Sequence, residues 1–178
     1  MKRKKAWIFL VAALIVLLAT FIWKKEFAKE TLEVPEYPLK TEIVLAVLDD
    51  YDWSCNVEEH SKTDWSDSFS LRGDDDTLYG SIKSQLLEDQ RTLGIGFFTF
   101  DEDSDFTEEE CRSIIQIATR LFGGFENENQ VYDRFMKEFD PDDSLSWEGQ
   151  VEGIDCEIKF VKFYENYMME VGFIEKRD

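Results

Sequence analysis

The first 23 residues constrain this chain more than any other feature. "MKRKK" leads into "AWIFLVAALIVLLATFIW", Ala6 to Trp23, 18 positions without a charged side chain. A helix rising 1.5 Å per residue covers about 27 Å over that length, close to the roughly 30 Å hydrocarbon layer of a bilayer. Trp7 and Trp23 stand at its two ends, where aromatic belts form at membrane interfaces. Four basic residues and the terminal amine precede the segment; Lys24, Lys25 and Lys29 follow it, mixed with Glu26 and Glu30. This bias predicts a cytoplasmic N-terminus. A cleaved signal needs small residues just beyond the apolar run, whereas this run ends in Phe21, Ile22 and Trp23, and Glu26 spoils the site before Ala28. The segment therefore predicts an uncleaved signal anchor, with a cleaved signal as its rival. The first cysteine is Cys55, so no lipid-modified cysteine anchors the N-terminus.

The expected organisation follows. Residues 1–5 form a basic cytoplasmic tail, 6–23 a transmembrane anchor contacting the lipid bilayer, 24–38 a tether, and 39–178 an acidic extracytoplasmic domain. Pro35 and Pro38 in "KKEFAKETLEVPEYPLK" favour extended backbone. From Glu26 onward, 14 Lys and Arg stand against all 39 Asp and Glu, a net charge of -25. Such a domain repels nucleic acid and anionic headgroups, which excludes nucleic-acid partners. It suits a basic protein or cell-surface partner, or acts only to keep the domain soluble. Hydrophobic residues make up 43% of the chain and aromatics 15%, enough for a packed core despite the charge.

Periodicity gives the fold class. "LKTEIVLAVLDDY" carries a helical apolar stripe over 39–51. Alternation then predicts four strands, marked by Trp53, Cys55 and Val57, by Phe69 and Leu71, by Leu78, Ile82 and Leu86, and by Leu93, Ile95 and Phe97, with turns at "RGDDD" and "LEDQR". Helices follow over 107–122, stopped by Gly123-Gly124, and near 128–139. Three strands close the chain, around 145–151, 154–160 and 167–173. The prediction is an α+β domain: a mostly antiparallel sheet of about six to seven strands covered by two to three helices.

Few residues suggest chemistry. "DEDSDFTEEE", 101–110, is the densest acidic run. A calcium loop started at Asp101 would need glycine at its sixth position and glutamate at its twelfth; these are Phe106 and Arg112. A helix start accounts for more of the run: Thr107 caps, Glu110 completes a capping box, and Glu108 and Glu109 favour the helix dipole. Asp101, Asp103 and Asp105 remain weak metal candidates. His60 is the only histidine, so a Ser-His-Asp triad has to run through it, and no nucleophile-elbow pattern accompanies any serine. Zinc spacings and a phosphate loop are absent from the sequence; "GIG" at 94–96 lies inside a strand pattern. "RGD" at 72–74 fits a hairpin turn. Cys55, Cys111 and Cys156 each fall on an apolar face, which suggests packing, and any disulfide among them leaves one thiol over.

The runs "LDDYDWSCNVEE", "LRGDDDTLYGSI" and "RTLGIGFFTF", spanning roughly 41–100, resemble a pattern of uncharacterised membrane-anchored or lipoprotein ectodomains of Gram-positive bacteria. The resemblance implies an extracytoplasmic location and a helix at 41–51, and brings no activity and no cofactor. The sequence thus points to a membrane-anchored binding or interaction domain without catalytic activity. A small surface hydrolase using paired carboxylates and a divalent-cation-responsive domain are the alternatives.

Overall fold

The computed structural model describes residues 31–53, 55–73, 78–99, 107–139, 144–163 and 166–177. The expected anchor at 6–23 and the metal candidates Asp101, Asp103 and Asp105 lie outside them. Among the described residues no helix is long and apolar enough to cross a membrane.

Ten elements follow in the expected order of helix, four strands, two helices, three strands. They are α1 (Thr41–Asp49), β1 (Cys55–Lys62), β2 (Ser66–Gly73), β3 (Leu78–Leu86), β4 (Gln90–Thr99), α2 (Glu108–Phe122), α3 (Gln130–Phe135), β5 (Leu145–Val151), β6 (Ile154–Phe163) and β7 (Asn166–Lys176). The strands form one sheet in the order β1-β2-β3-β4-β7-β6-β5. Every pairing is antiparallel. Two hairpin-built sets thus meet along the β4–β7 seam, where the last strand returns to the centre.

The alternation that predicted the strands also decides which face is buried, because successive side chains point to opposite sides. Phe69, Leu71, Ile82, Leu93, Ile95, Phe97, Ile158, Met169, Val171 and Phe173 are all buried on one face. Helix α2 lies across β4 and β7 on that face, with α1 and α3 packed beside it. It starts where expected: Thr107 Oγ1 accepts from the Glu110 amide at 3.2 Å, and the Glu110 carboxylate accepts from the Thr107 amide at 2.7 Å. It buries Cys111, Ile114, Ile115, Ala118, Leu121 and Phe122 and stops at Gly123. Phe122 and Phe125 close edge-on or tilted against Phe173, with ring centroids 5.4 and 5.1 Å away. Helix α3 is shorter than its apolar stripe. After Phe135 the backbone tightens into i→i−3 bonds, Lys137 N to Arg134 O and Glu138 N to Phe135 O, and the regular helix ends.

Residues 32–39 run against this core. The Leu32 amide donates to Phe125 O at 2.7 Å, and the Gly124 amide donates to Leu32 O at 2.9 Å. Tyr37 is buried and its hydroxyl donates to Leu121 O at 3.1 Å; the Leu39 amide donates to Ser84 Oγ at 2.9 Å. Beneath them, Arg91 is only 3% exposed. Its Nη1 donates to Phe122 O at 2.8 Å, so a cation meets the negative end of the α2 dipole. Its Nη2 faces Glu175 Oε2 at 3.0 Å as an ion pair without an aligned hydrogen bond. The guanidinium carbon lies 4.0 Å from the centre of the Phe122 ring.

Candidate functional site

The helices cover one face of the sheet, and no described element packs on the other. On this open face the registers define cross-strand rows. The central row runs Ser68, Lys83, Gly94, Gly172, Glu157, Glu148 from β2 to β5. The next row toward the β3–β4 turn holds Gln85, Thr92, Ile174 and Asp155, and the row on the other side holds Ser81, Gly96, Glu170 and Lys159. Gly94 faces Gly172 directly across the seam. A Cβ built on Gly94 would meet nothing within 4 Å, so the floor there is bare backbone. Side chains on either side rise above it and enclose a groove of 770 Å³ lined by Lys83, Gln85, Thr92, Glu148, Asp155 and Glu157, among others. Ile174 gives the groove an apolar side chain that is 42% exposed.

Charge is divided across the seam. On the open side, β2, β3 and β4 present Arg72 and Lys83 and no carboxylate. β7, β6 and β5 present Glu170, Asp155, Glu157 and Glu148 with Lys176 and Lys159. Lys159 Nζ pairs with Glu157 Oε1 at 2.6 Å. Its pKa is raised, first by the bond to Glu157 and further by the fields of Glu170 and Glu148, so three carboxylates share one lysine. Asp155 accepts from Gln150 at 3.0 Å and lies 4.0 Å from Lys176. Lys83 has no ion-pair partner among the described residues. Arg72 donates to Glu58 at 3.1 Å and lies over the Tyr79 ring, so the arginine of the "RGD" tripeptide is engaged inside the domain.

The structure also shows what His60 does. Its Nε2 lies 2.5 Å from Asp67 Oδ1, and its ring stacks on Phe69 at 4.7 Å. Asp67 is 1% exposed, with Lys62 Nζ 3.8 Å from its other oxygen. Two members of a triad are therefore together, but among the described residues no serine hydroxyl bonds His60. Ser84 Oγ is taken up by the Leu39 amide and Ser68 Oγ donates to Ser61 O. The pair shields a buried carboxylate at the sheet margin. The sequence hid Asp67 because "WSDSFSL" places it in the inward-facing register with no apolar character to mark it.

Cys111 and Cys156 are buried free thiols. Burial pushes Cys111 and Cys156 up to about 12, with nearby Glu108 and Asp155, respectively, adding to the shift. Both are therefore packing residues rather than nucleophiles at neutral pH. Among the described residues no cluster of three His, Cys, Asp or Glu side chains could hold a metal ion. Comparison with protein-family models, curated proteins and solved structures finds no match to this chain.

Proposed function

We propose that this chain is a single-pass membrane protein whose extracytoplasmic α+β domain binds a partner through the open face of its sheet and carries out no catalysis. One observation carries the reading: a large sheet buried on one side presents a glycine-floored groove of 770 Å³ on the other. Concave sites with a bare floor and converging polar groups are where ligands and partners dock. The apolar run at 6–23 and the resemblance to Gram-positive ectodomains support the location. The acid excess elsewhere on the domain suits a separate contact with a basic protein or cell-surface partner.

A second reading has one observation in its favour. Glu148 stands directly opposite Glu157 in register, which brings together two of the carboxylates that such a hydrolase uses as a pair. Glu157, however, is already bonded to Lys159. Glycan release from cell walls by the native chain, lost with Glu148→Gln, would favour this alternative.

Two measurements test the main reading. The chain should stay in the membrane pellet after alkaline and high-salt washing with Met1 intact, while protease added outside the cell digests the domain. On intact cells, an impermeant amine cross-linker should shift the chain to a heavier adduct, and Gly94→Trp should abolish that adduct without lowering the melting temperature. A chain that never shifts, or shifts equally with Gly94→Trp, would refute binding through this face.

A further inference from the structure

The open face is self-complementary about its own seam. A twofold axis laid along the strands between β4 and β7 places β3 of one copy over β6 of the other. Lys83 then comes opposite Glu157, and Gln85 opposite Asp155. Gly94 meets Gly172, so in the central row no side chain stands between the two sheets, while the flanking rows set Thr92 over Ile174 and Gly96 over Glu170. Beyond the row of Ser81, Gly96, Glu170 and Lys159, the residues Tyr79, Phe98, Met168 and Val161 form a half-buried apolar band across four strands. The same axis puts Tyr79 over Val161 and Phe98 over Met168.

From this geometry we infer that the partner of the open face is a second copy of this chain, packed sheet to sheet about the β4–β7 seam. The inference rests on the binding role proposed above and names its partner. Charge supports it. Although the chain beyond residue 25 has a net charge of -25, the open-face positions of β2, β3, β4, β7, β6 and β5 carry four cations and four carboxylates. On one side of the seam Arg72 is paired with Glu58, which leaves Lys83 as the cation facing outward, and on the other side carboxylates outnumber cations. A uniformly basic partner would meet Lys83 unfavourably, whereas a second copy turned about the seam brings Lys83 of each chain against Glu157 of the other. Packed sheets incline by about 30° because each is twisted, so the matching is best near the axis, where Lys83, Glu157 and the glycines lie.

Size supports membrane-confined association. Six strands at about 4.8 Å and the roughly 20 Å spanned by the matched rows from Tyr79 to Gln85 offer about 600 Å² per copy, below the roughly 800 Å² of a standard interface. Such a contact is weak in dilute solution and strengthened when two anchored chains share one bilayer.

The test uses the full chain in its membrane. Two copies with different tags are co-expressed, and p-benzoylphenylalanine replaces Thr92 in one of them. Irradiation should give an adduct of about twice 21.0 kDa that carries both tags, with the cross-link mapped to β6 or β7 of the second copy. Lys83→Glu should reduce the adduct at least tenfold, as should Glu157→Lys, and the double reversal Lys83→Glu with Glu157→Lys should restore most of it. An adduct with a different protein would overturn the homodimer while leaving binding through the open face intact. No adduct would overturn both. A two-tag adduct indifferent to Lys83→Glu, or not restored by the double reversal, would overturn the seam geometry.

Discussion

Arg91 shows how much one buried side chain can organise. It neutralises a helix end, stacks on Phe122, and lies beneath the segment that carries Tyr37. Arg91→Met should leave the Phe122 carbonyl without its donor and cost about 2–4 kcal/mol in denaturant melts. Arg91→Lys should recover less than half, because an ammonium cannot hold the carbonyl, the carboxylate and the ring together. The buried thiols set a pH limit. Their pKa values are raised from 9.0 to about 12, so the folded chain keeps protons that the unfolded chain releases. Their contribution is intact below about pH 9 and declines as pH rises toward about 12, by up to about 1.4 kcal/mol per thiol per unit. Urea melts at about pH 8 and about pH 10.5 should show that decline, and Cys111→Ala with Cys156→Ala should flatten it. Neither residue's burial was a surprise, since both fall on apolar faces of their elements. Arg91 was hidden: a lone arginine beside "TLGIGF" looks like turn punctuation until β4 is placed under the end of α2.

Among the elements, α2 was the most legible. The acidic run before it resolves into a capping box plus a charged first turn, both local features that need no tertiary information. Thr107→Ala should cost about 1 kcal/mol. Adding Glu110→Ala should cost less than the sum of the two single changes, because the residues share one reciprocal pair of bonds. The losses should be the same with and without millimolar calcium. A loss confined to calcium-containing buffer would instead assign the run, and Asp101, Asp103 and Asp105 with it, to an ion. Strand identities were also readable, because alternation is local. The seam was not: β4 and β7 pair across intervening helices and strands, and nothing local in "LGIGF" or "MEVGF" says that Gly94 faces Gly172. The alternation does mark the apolar face that the helices cover, but that α2 crosses it over β4 and β7 depends on the same long-range pairing.

At the scale of the molecule, residues 32–39 behave as part of the fold. Pro35 and Pro38 exclude helix from this stretch but do not prevent packing, and its anchoring groups are mostly backbone amides, which a side-chain pattern cannot reveal. A Cβ on Gly123, whose φ is +72°, would lie 2.4 Å from Glu33 O, so the crossing is close. A chain beginning at residue 39 should therefore be less stable than one beginning at 31 by about 3 kcal/mol or more, from two lost backbone bonds and the uncovering of Leu32 and its neighbours. Equal denaturation midpoints for the two chains would show that the crossing contributes little.

The sheet's two margins have a consequence for assembly. β1 is broken by a bulge between Val57 and Glu59, which spoils the regular ladder a new strand would need. At the far margin Arg134 Nη1 donates to Gln150 O at 3.1 Å, occupying a carbonyl on the outermost strand β5. Lateral growth into ribbons or fibrils is thus discouraged at both ends. Face-to-face pairing about a twofold uses up the open surface in one step. Under the pairing proposed above, chains held in one membrane would pair off rather than add strand to strand, and local density would set the fraction paired.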